Sequence, residues 1–354
     1  MNERQETLII LTPGFPANED DSTCLPPKQV FIKSLNKAFP LLKVIVISFQ
    51  YPYSTKEYSW FSNTVIPFNG KNYSGKLKRF FLWLYVWKKL NALKKQNKII
   101  GLYSFWLGEV AVIGKRFAKA NHLPHFCWLS GQDAKPGNVY VKLMKPKPSE
   151  LIAMSDFLQN EFQKNYSIKP THVIPLGIDD NMFQNISPPK NIDILGAGSL
   201  IPLKQYDLFI EVIKQIVQHY KSLTVVLCGK GKEEDKLRQL ISNYSLQQNI
   251  FLTGELPHST VLNYMQRSKI FLHTSAYEGF GFVCLEALYA GAHVISFTKP
   301  MNIAVPHWYN VNTKEEMMAK VFQLLQQTNL SYQAIAPFKM ENTAKAVVHL
   351  FTGK

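Results

Sequence analysis

Between residues 278 and 286 the chain reads Glu-Gly-Phe-Gly-Phe-Val-Cys-Leu-Glu. Gly279 and Gly281 let the main chain approach a ligand closely. The residues after them suit a helix, whose first N–H groups and positive dipole end favour an anion such as a diphosphate. Glu278 precedes that helix and Glu286 lies about two turns into it. Both carboxylates can therefore face one bound molecule and accept hydrogen bonds from hydroxyls, which sugars and ribose carry in number. The competing reading is a solvated acid ahead of a helix and a helix-face glutamate paired with a lysine. A second segment, Gly196-Ala197-Gly198-Ser199-Leu200-Ile201-Pro202-Leu203-Lys204-Gln205-Tyr206-Asp207, reads as a strand ending in glycines, a loop with a lysine, and a helix. Lys204 is placed to meet a diphosphate as a point charge, in a loop that already offers backbone donors. The alternative is an ordinary surface lysine.

The elements that must position these residues follow from periodicity. Short apolar β-rich runs alternate with longer segments of helical spacing, the signature of parallel βαβ units. Expected strands are Leu8–Leu11, Val44–Phe49, Ile99–Ser104, His125–Leu129, Leu151–Met154 and His172–Pro175. A second series follows: Asp193–Ala197, Thr224–Cys228, Ile250–Thr253, Ile270–His273 and His293–Phe297, with helices such as Tyr206–Tyr220 and Glu233–Tyr244 between them. The Pro-Pro segment Asn185–Lys190 falls between the series and reads as a linker. The expected domains are 1–185, 186–336 and a closing helical stretch, 337–354, that packs back across them. Two doubly wound sheets place ligands beyond the carboxyl ends of their strands, so the expected site is a cleft between them.

Composition narrows the class. A chain of 354 residues, 46% hydrophobic and 18% charged, is long enough for two ordinary cores and lacks the bias of a disordered protein. Its four cysteines, at 24, 127, 228 and 284, form no CxxC pair, so neither a zinc site nor a disulfide framework is indicated. The opening residues lack the basic run of a secretory signal, and no apolar stretch reaches the ~18 residues of a membrane span, so a cytoplasmic setting is expected. The formal net charge of +15 suits nucleic acid, an anionic membrane face or phosphate-bearing substrates. With no zinc-finger spacing, no RNP-like motif and basic residues in both halves, nucleic acid is the disfavoured partner.

From Ser275 to Ala287, and on through Gly291, the sequence resembles the retaining glycosyltransferase family 4, whose signature is S-x-x-E-G-F-G-x-x-x-x-E-A. The resemblance implies the GT-B fold, two Rossmann-like domains facing a cleft, and transfer of a sugar from a nucleotide diphosphate donor with retention at the anomeric carbon. It puts Glu278 on the donor sugar, Glu286 on the ribose hydroxyls and Lys204 on the phosphates. The amides around Gly279, Phe280, Gly281 and Phe282 would meet sugar and phosphate. Ser199 occupies the position of the family's usual arginine. The segment CGKGKEEDKL resembles the family's strand, G-x-G and helix, which would put Gly229 near the nucleotide, and the same resemblance would put Gly254, Glu255 and Leu256 near the nucleobase. The run Val173-Ile174-Pro175-Leu176-Gly177-Ile178-Asp179, with Phe183, resembles V-I-P-N-G-V-D-x-x-x-F. Ser130-Gly131-Gln132-Asp133 stands where many members have H-G-x-D, with serine for histidine. Asp133 there is either a catalytic polar contact or a turn residue bonding locally. Gly14, in Thr12-Pro13-Gly14-Phe15-Pro16, matches the first-loop position where amides approach donor phosphate or acceptor.

The implied partners are a nucleotide diphosphate sugar, as co-substrate with no cofactor, and a saccharide or lipid-linked acceptor. No metal is implied; Glu19, Asp20 and Asp21 read as solvated loop acids. Residues 76–98, KLKRFFLWLYVWKKLNALKKQNK, form a basic and aromatic helix too short to span a bilayer. It either rests on an anionic inner leaflet or is a buried helix with lysines on its solvent face. Against a transferase stands a binding module that holds a nucleotide sugar or glycan without catalysis, which the departures at Ser199 and Ser130 favour. A nicotinamide oxidoreductase is disfavoured because Gly196-x-Gly198 and Gly229-x-Gly231 each lack the third glycine of the fingerprint.

Overall fold

The computed structural model describes residues 4–72, 75–186 and 188–353, except the side chains of Asn72 and Lys76. Met1–Glu3, Ser187 of the expected linker, and Lys354 lie outside the described residues. The chain divides into two compact units, Met1–Leu176 with Met340–Lys354, and Gly177–Lys339.

The first unit runs β1 (Glu6–Gly14), α1 (Pro26–Ala38), β2 (Lys43–Tyr51), β3 (Tyr58–Trp60), β4 (Asn63–Pro67), α2 (Lys76–Gln96), β5 (Lys98–Phe105), α3 (Glu109–Ala120), β6 (His125–Trp128), α4 (Val139–Met144), β7 (Leu151–Ala153), α5 (Asp156–Tyr166) and β8 (His172–Val173). Among the described residues its sheet has the order β3-β4-β2-β1-β5-β6-β7-β8. The pairing is parallel except for β3 against β4. Strand β1 explains the pattern: Leu8, Ile9, Ile10 and Leu11 are fully buried, as a parallel strand covered on both faces must be. The β3–β4 hairpin was not among the expected strands. Its turn is carried by Phe61 at φ 48, so it lacks the glycine or asparagine that marks such turns in a sequence.

The second unit runs β9 (Ile192–Ala197), α6 (Tyr206–Val217), β10 (Val225–Cys228), α7 (Glu234–Asn243), β11 (Ile250–Gly254), α8 (His258–Gln266), β12 (Ser268–His273), α9 (Phe282–Tyr289), β13 (His293–Ser296), β14 (Trp308–Asn310) and α10 (Lys314–Gln326). Its parallel sheet has the order β11-β10-β9-β12-β13-β14. The order reverses between β9 and β12, so the loops after these two strands leave neighbouring strand ends, where doubly wound sheets bind ligands. Amphipathic α6 buries Phe209, Ile210, Ile213 and Ile216 against Ile194, Leu227 and Ile270.

The closing helix, α11 (Met340–Thr352), packs with α1 and β5, and Thr343 Oγ1 donates to the Pro175 carbonyl at 2.7 Å. The chain passes between the units ahead of the Asn185–Lys190 segment. Ile178 already donates to Phe338 O at 2.9 Å, and Gln266 Nε2 holds Gln184 O at 2.8 Å, which ties 177–186 to the second unit.

Candidate functional site

The loops after β9 and β12 are stitched together at the switch point. Thr274 Oγ1 donates to Lys204 O at 2.8 Å, Ser275 Oγ to Leu203 O at 3.2 Å, and Ala276 N to Leu203 O at 3.1 Å. These bonds fix where Lys204 and Glu278 emerge, and the two side chains form an ion pair. Each remains 17–18% exposed, enough to be reached from solvent. His273, buried at the end of β12, puts Nε2 3.3 Å from Glu278 Oε1 without completing hydrogen-bond geometry. Burial by itself would raise the Glu278 carboxyl. His273 and Lys204 outweigh it and hold the group down at about 2, so it is a carboxylate at any working pH. Burial conversely lowers His273, against the pull of Glu278.

Glu286, in the second turn of α9, is 4% exposed, and His258 Nε2 lies 2.7 Å from its Oε1. Glu278 in the loop before α9 and Glu286 in its second turn flank the buried Cys284 in sequence. Gly281 caps α9 at φ 74, a left-handed conformation that a side chain adopts only with strain. The Phe280 ring is buried beside Phe338 and Trp308 at a cavity of about 170 Å³. Its outward offering is therefore the main chain.

Other expected positions serve differently. A Cβ on Gly229 would stand 1.9 Å from Gly198 O, so the bare Gly229 lets the two strand-end loops touch. Ser199 and Glu255 are exposed, Leu256 is half-buried, and Gly254, at φ 74, has open space where a Cβ would point. Gly14 and Asp133 belong to the first unit. Gly14 lines a cavity of about 700 Å³ with Tyr51, Tyr53, Lys71 and Trp106, at the carboxyl ends of β1, β2 and β5.

Asp133 is buried and accepts from Ser130 N at 2.7 Å. Burial raises its carboxyl to about 6 against the bonds from Ser130 and Leu107 and the charge of Lys28. Lys28 is also buried, with Nζ 3.5 Å from the centroid of the Trp128 ring and, among the described residues, without a hydrogen-bond partner. Asp21, expected to be solvated, organises its loop by accepting from Cys24 N and Tyr51 OH. His273, His258 and Lys28 were not among the expected site residues. The legible signal was for His258, a histidine opening a helix just after Thr253-Gly254-Glu255-Leu256-Pro257.

The architecture is that of the GT-B glycosyltransferases. Sucrose-phosphate synthase from Thermosynechococcus elongatus superposes with a TM-score of 0.75 at 15% identity, covering 99% of both chains. The Anabaena protein HepE in complex with UDP and glucose gives 0.65 at 16% identity, over 97% of this chain and 94% of that one. Residues 177–306 match the model of the family described as glycosyl transferases group 1. Sequence relatives include the phosphatidylinositol N-acetylglucosaminyltransferase gpi3 subunit of Schizosaccharomyces pombe, 37% identical over 131 residues, which are 36% of this chain and 29% of that protein. The GtfA subunit of a UDP-N-acetylglucosamine–peptide N-acetylglucosaminyltransferase from Streptococcus gordonii is 31% identical over 147 residues, or 41% and 28%. The chain thus aligns with under a third of the length of these relatives.

Proposed function

We propose that the protein transfers a sugar from a nucleoside diphosphate donor, held by the second unit, to a hydroxyl of a saccharide or lipid-linked acceptor, with retention at the anomeric carbon. The meeting of Lys204 and Glu278 at the switch point of the second sheet carries this reading. A diphosphate beside Lys204 and the start of α9 meets a fixed cation and free helical N–H groups, which stabilise the charge that grows on the leaving phosphate. Glu278, ionised and anchored, accepts hydroxyl hydrogen bonds from the sugar and orients it rather than acting as an obligatory base. Glu286, steadied by His258, suits the vicinal hydroxyls of ribose. Relatives named for N-acetylglucosamine transfer favour a UDP-linked 2-acetamido sugar as donor. The acceptor falls to the first unit, with Gly14 at the 700 Å³ cavity and Asp133 as a proton acceptor of near-neutral affinity.

A catalytically idle nucleotide-sugar binder is the second reading, favoured by the exposed Ser199, which adds no cation beside Lys204. Incubation with a panel of UDP- and GDP-sugars, with and without saccharide acceptors, separates the two. Release of nucleoside diphosphate with one donor is the expected result, and binding without release identifies the idle module.

A further inference from the structure

Helix α2 is apolar on two faces, and among the described residues only one is covered by protein. Leu82, Val86, Leu90 and Leu93 are buried in the core of the first unit. On the other side Leu77, Phe80, Phe81, Leu84 and Tyr85 recur at i, i+3, i+4, i+7 and i+8, and Leu77 is 79% exposed. The solvent face of this helix carries the stripe as well as the expected lysines, with Lys78 and Arg79 beside it and Lys88, Lys94 and Lys95 beyond it. The fold adds what the linear stretch does not show. Arg79 Nη1 donates to Tyr140 OH at 3.3 Å, which brings α4 to the same surface, where Val139 is 63% and Leu143 48% exposed.

Charge selects the occupant. Residues 76–98 contain eight lysines and arginines, and residues 135–147 contain four lysines; neither stretch has an acidic residue. A second copy docking here would set these cations against their own counterparts, and an apolar patch in a basic frame is the complement of anionic headgroups over acyl chains.

We propose that the exposed faces of α2 and α4 together form a docking surface for an anionic lipid bilayer, on which the first unit rests without spanning it. No helix among the described residues is long and apolar enough to cross a membrane. The surface adjoins the acceptor side of the unit. Trp83 of α2 and Gln50 of the 700 Å³ cavity donate to the two oxygens of Glu109, at 3.0 and 2.9 Å. The loop carrying Asp133 leads directly into α4.

The test is co-sedimentation of the full chain with vesicles of phosphatidylcholine alone or mixed with phosphatidylglycerol. Wild type is expected to bind the mixed vesicles only, and less as salt rises. Phe81→Glu with Leu84→Glu should weaken binding about tenfold or more, and Val139→Glu with Leu143→Glu severalfold. Because these side chains are exposed, the variants should melt at the wild-type temperature. Equal partition of wild type and variants, salt-independent binding to phosphatidylcholine, or a dimer that the α2 variant abolishes would each overturn the proposal. It stands apart from the donor reading, which is checked on the same samples by stabilisation with UDP; failure of vesicle binding with that stabilisation intact sinks the membrane surface alone.

Discussion

Both units bring a lysine and a carboxylate to the carboxyl end of a parallel sheet, and they treat the charges in opposite ways. In the second unit Lys204 and Glu278 are paired directly, stay reachable from solvent, and the carboxyl is held down at about 2. In the first, Lys28 lies against Trp128 with no hydrogen-bond partner among the described residues, and burial drops it to about 7, while Asp133 is pushed up to about 6. Pairing keeps ions charged; burial without full pairing drives them toward neutrality. Fixed charge suits a diphosphate donor. A carboxyl near neutrality suits proton exchange with a hydroxyl acceptor.

The comparison breaks first at the second unit. Lys204→Ala and Glu278→Ala are each expected to lower donor turnover by about 10²-fold or more with little change in circular dichroism. Near-normal turnover by either variant removes the charged pair from the chemistry. The next largest effect is on the fold: Gly229→Ala should cost about 2 kcal/mol or more in denaturant melts, since the new Cβ meets the Gly198 carbonyl. Gly254→Ala, with open space around it, should cost about 1 kcal/mol, from its positive φ alone. Comparable losses would mean that loop contact is not what Gly229 serves.

The first unit is sharpened by Lys28→Met. Lys28 sits below its ordinary value in the folded state, so the unfolded chain binds more protons between about pH 7 and the normal lysine range, and stability rises with pH through that window. Asp133, raised to about 6, acts the other way at lower pH, its contribution falling as pH climbs from the ordinary carboxylate range to about 6. The variant should melt higher than wild type at pH 7 and lose the upward slope above it. An unchanged slope would show that Lys28 is solvated. The smallest expected effect belongs to His258→Ala, which leaves Glu286 without its 2.7 Å partner and should weaken nucleoside diphosphate binding severalfold by calorimetry. Unchanged affinity would exclude Glu286 from the nucleotide site.

Legibility in the sequence followed the same division. The long buried strands such as Leu8–Leu11 and the strand–glycine–helix units around Lys204 and Glu278 were readable, because their hydrophobic runs and glycines follow from backbone requirements local to the chain. The β3–β4 hairpin and β14 were not, being short, at sheet edges and without turn residues of the usual kind. His273 and Lys28 were hidden for another reason. Each owes its character to burial in the folded unit, His273 at the end of β12 and Lys28 against the Trp128 ring. The reach of α2 toward α4 likewise exists only in three dimensions.

The central claim is that Lys204 and Glu278 hold a sugar diphosphate, and thermal unfolding of wild type and Lys204→Ala with UDP, GDP and the corresponding nucleosides tests it most directly. A ligand that binds only the folded state raises the melting temperature. The account predicts that one diphosphate stabilises wild type well beyond its nucleoside, and that the difference disappears in Lys204→Ala. Equal stabilisation of both proteins by that diphosphate would contradict it.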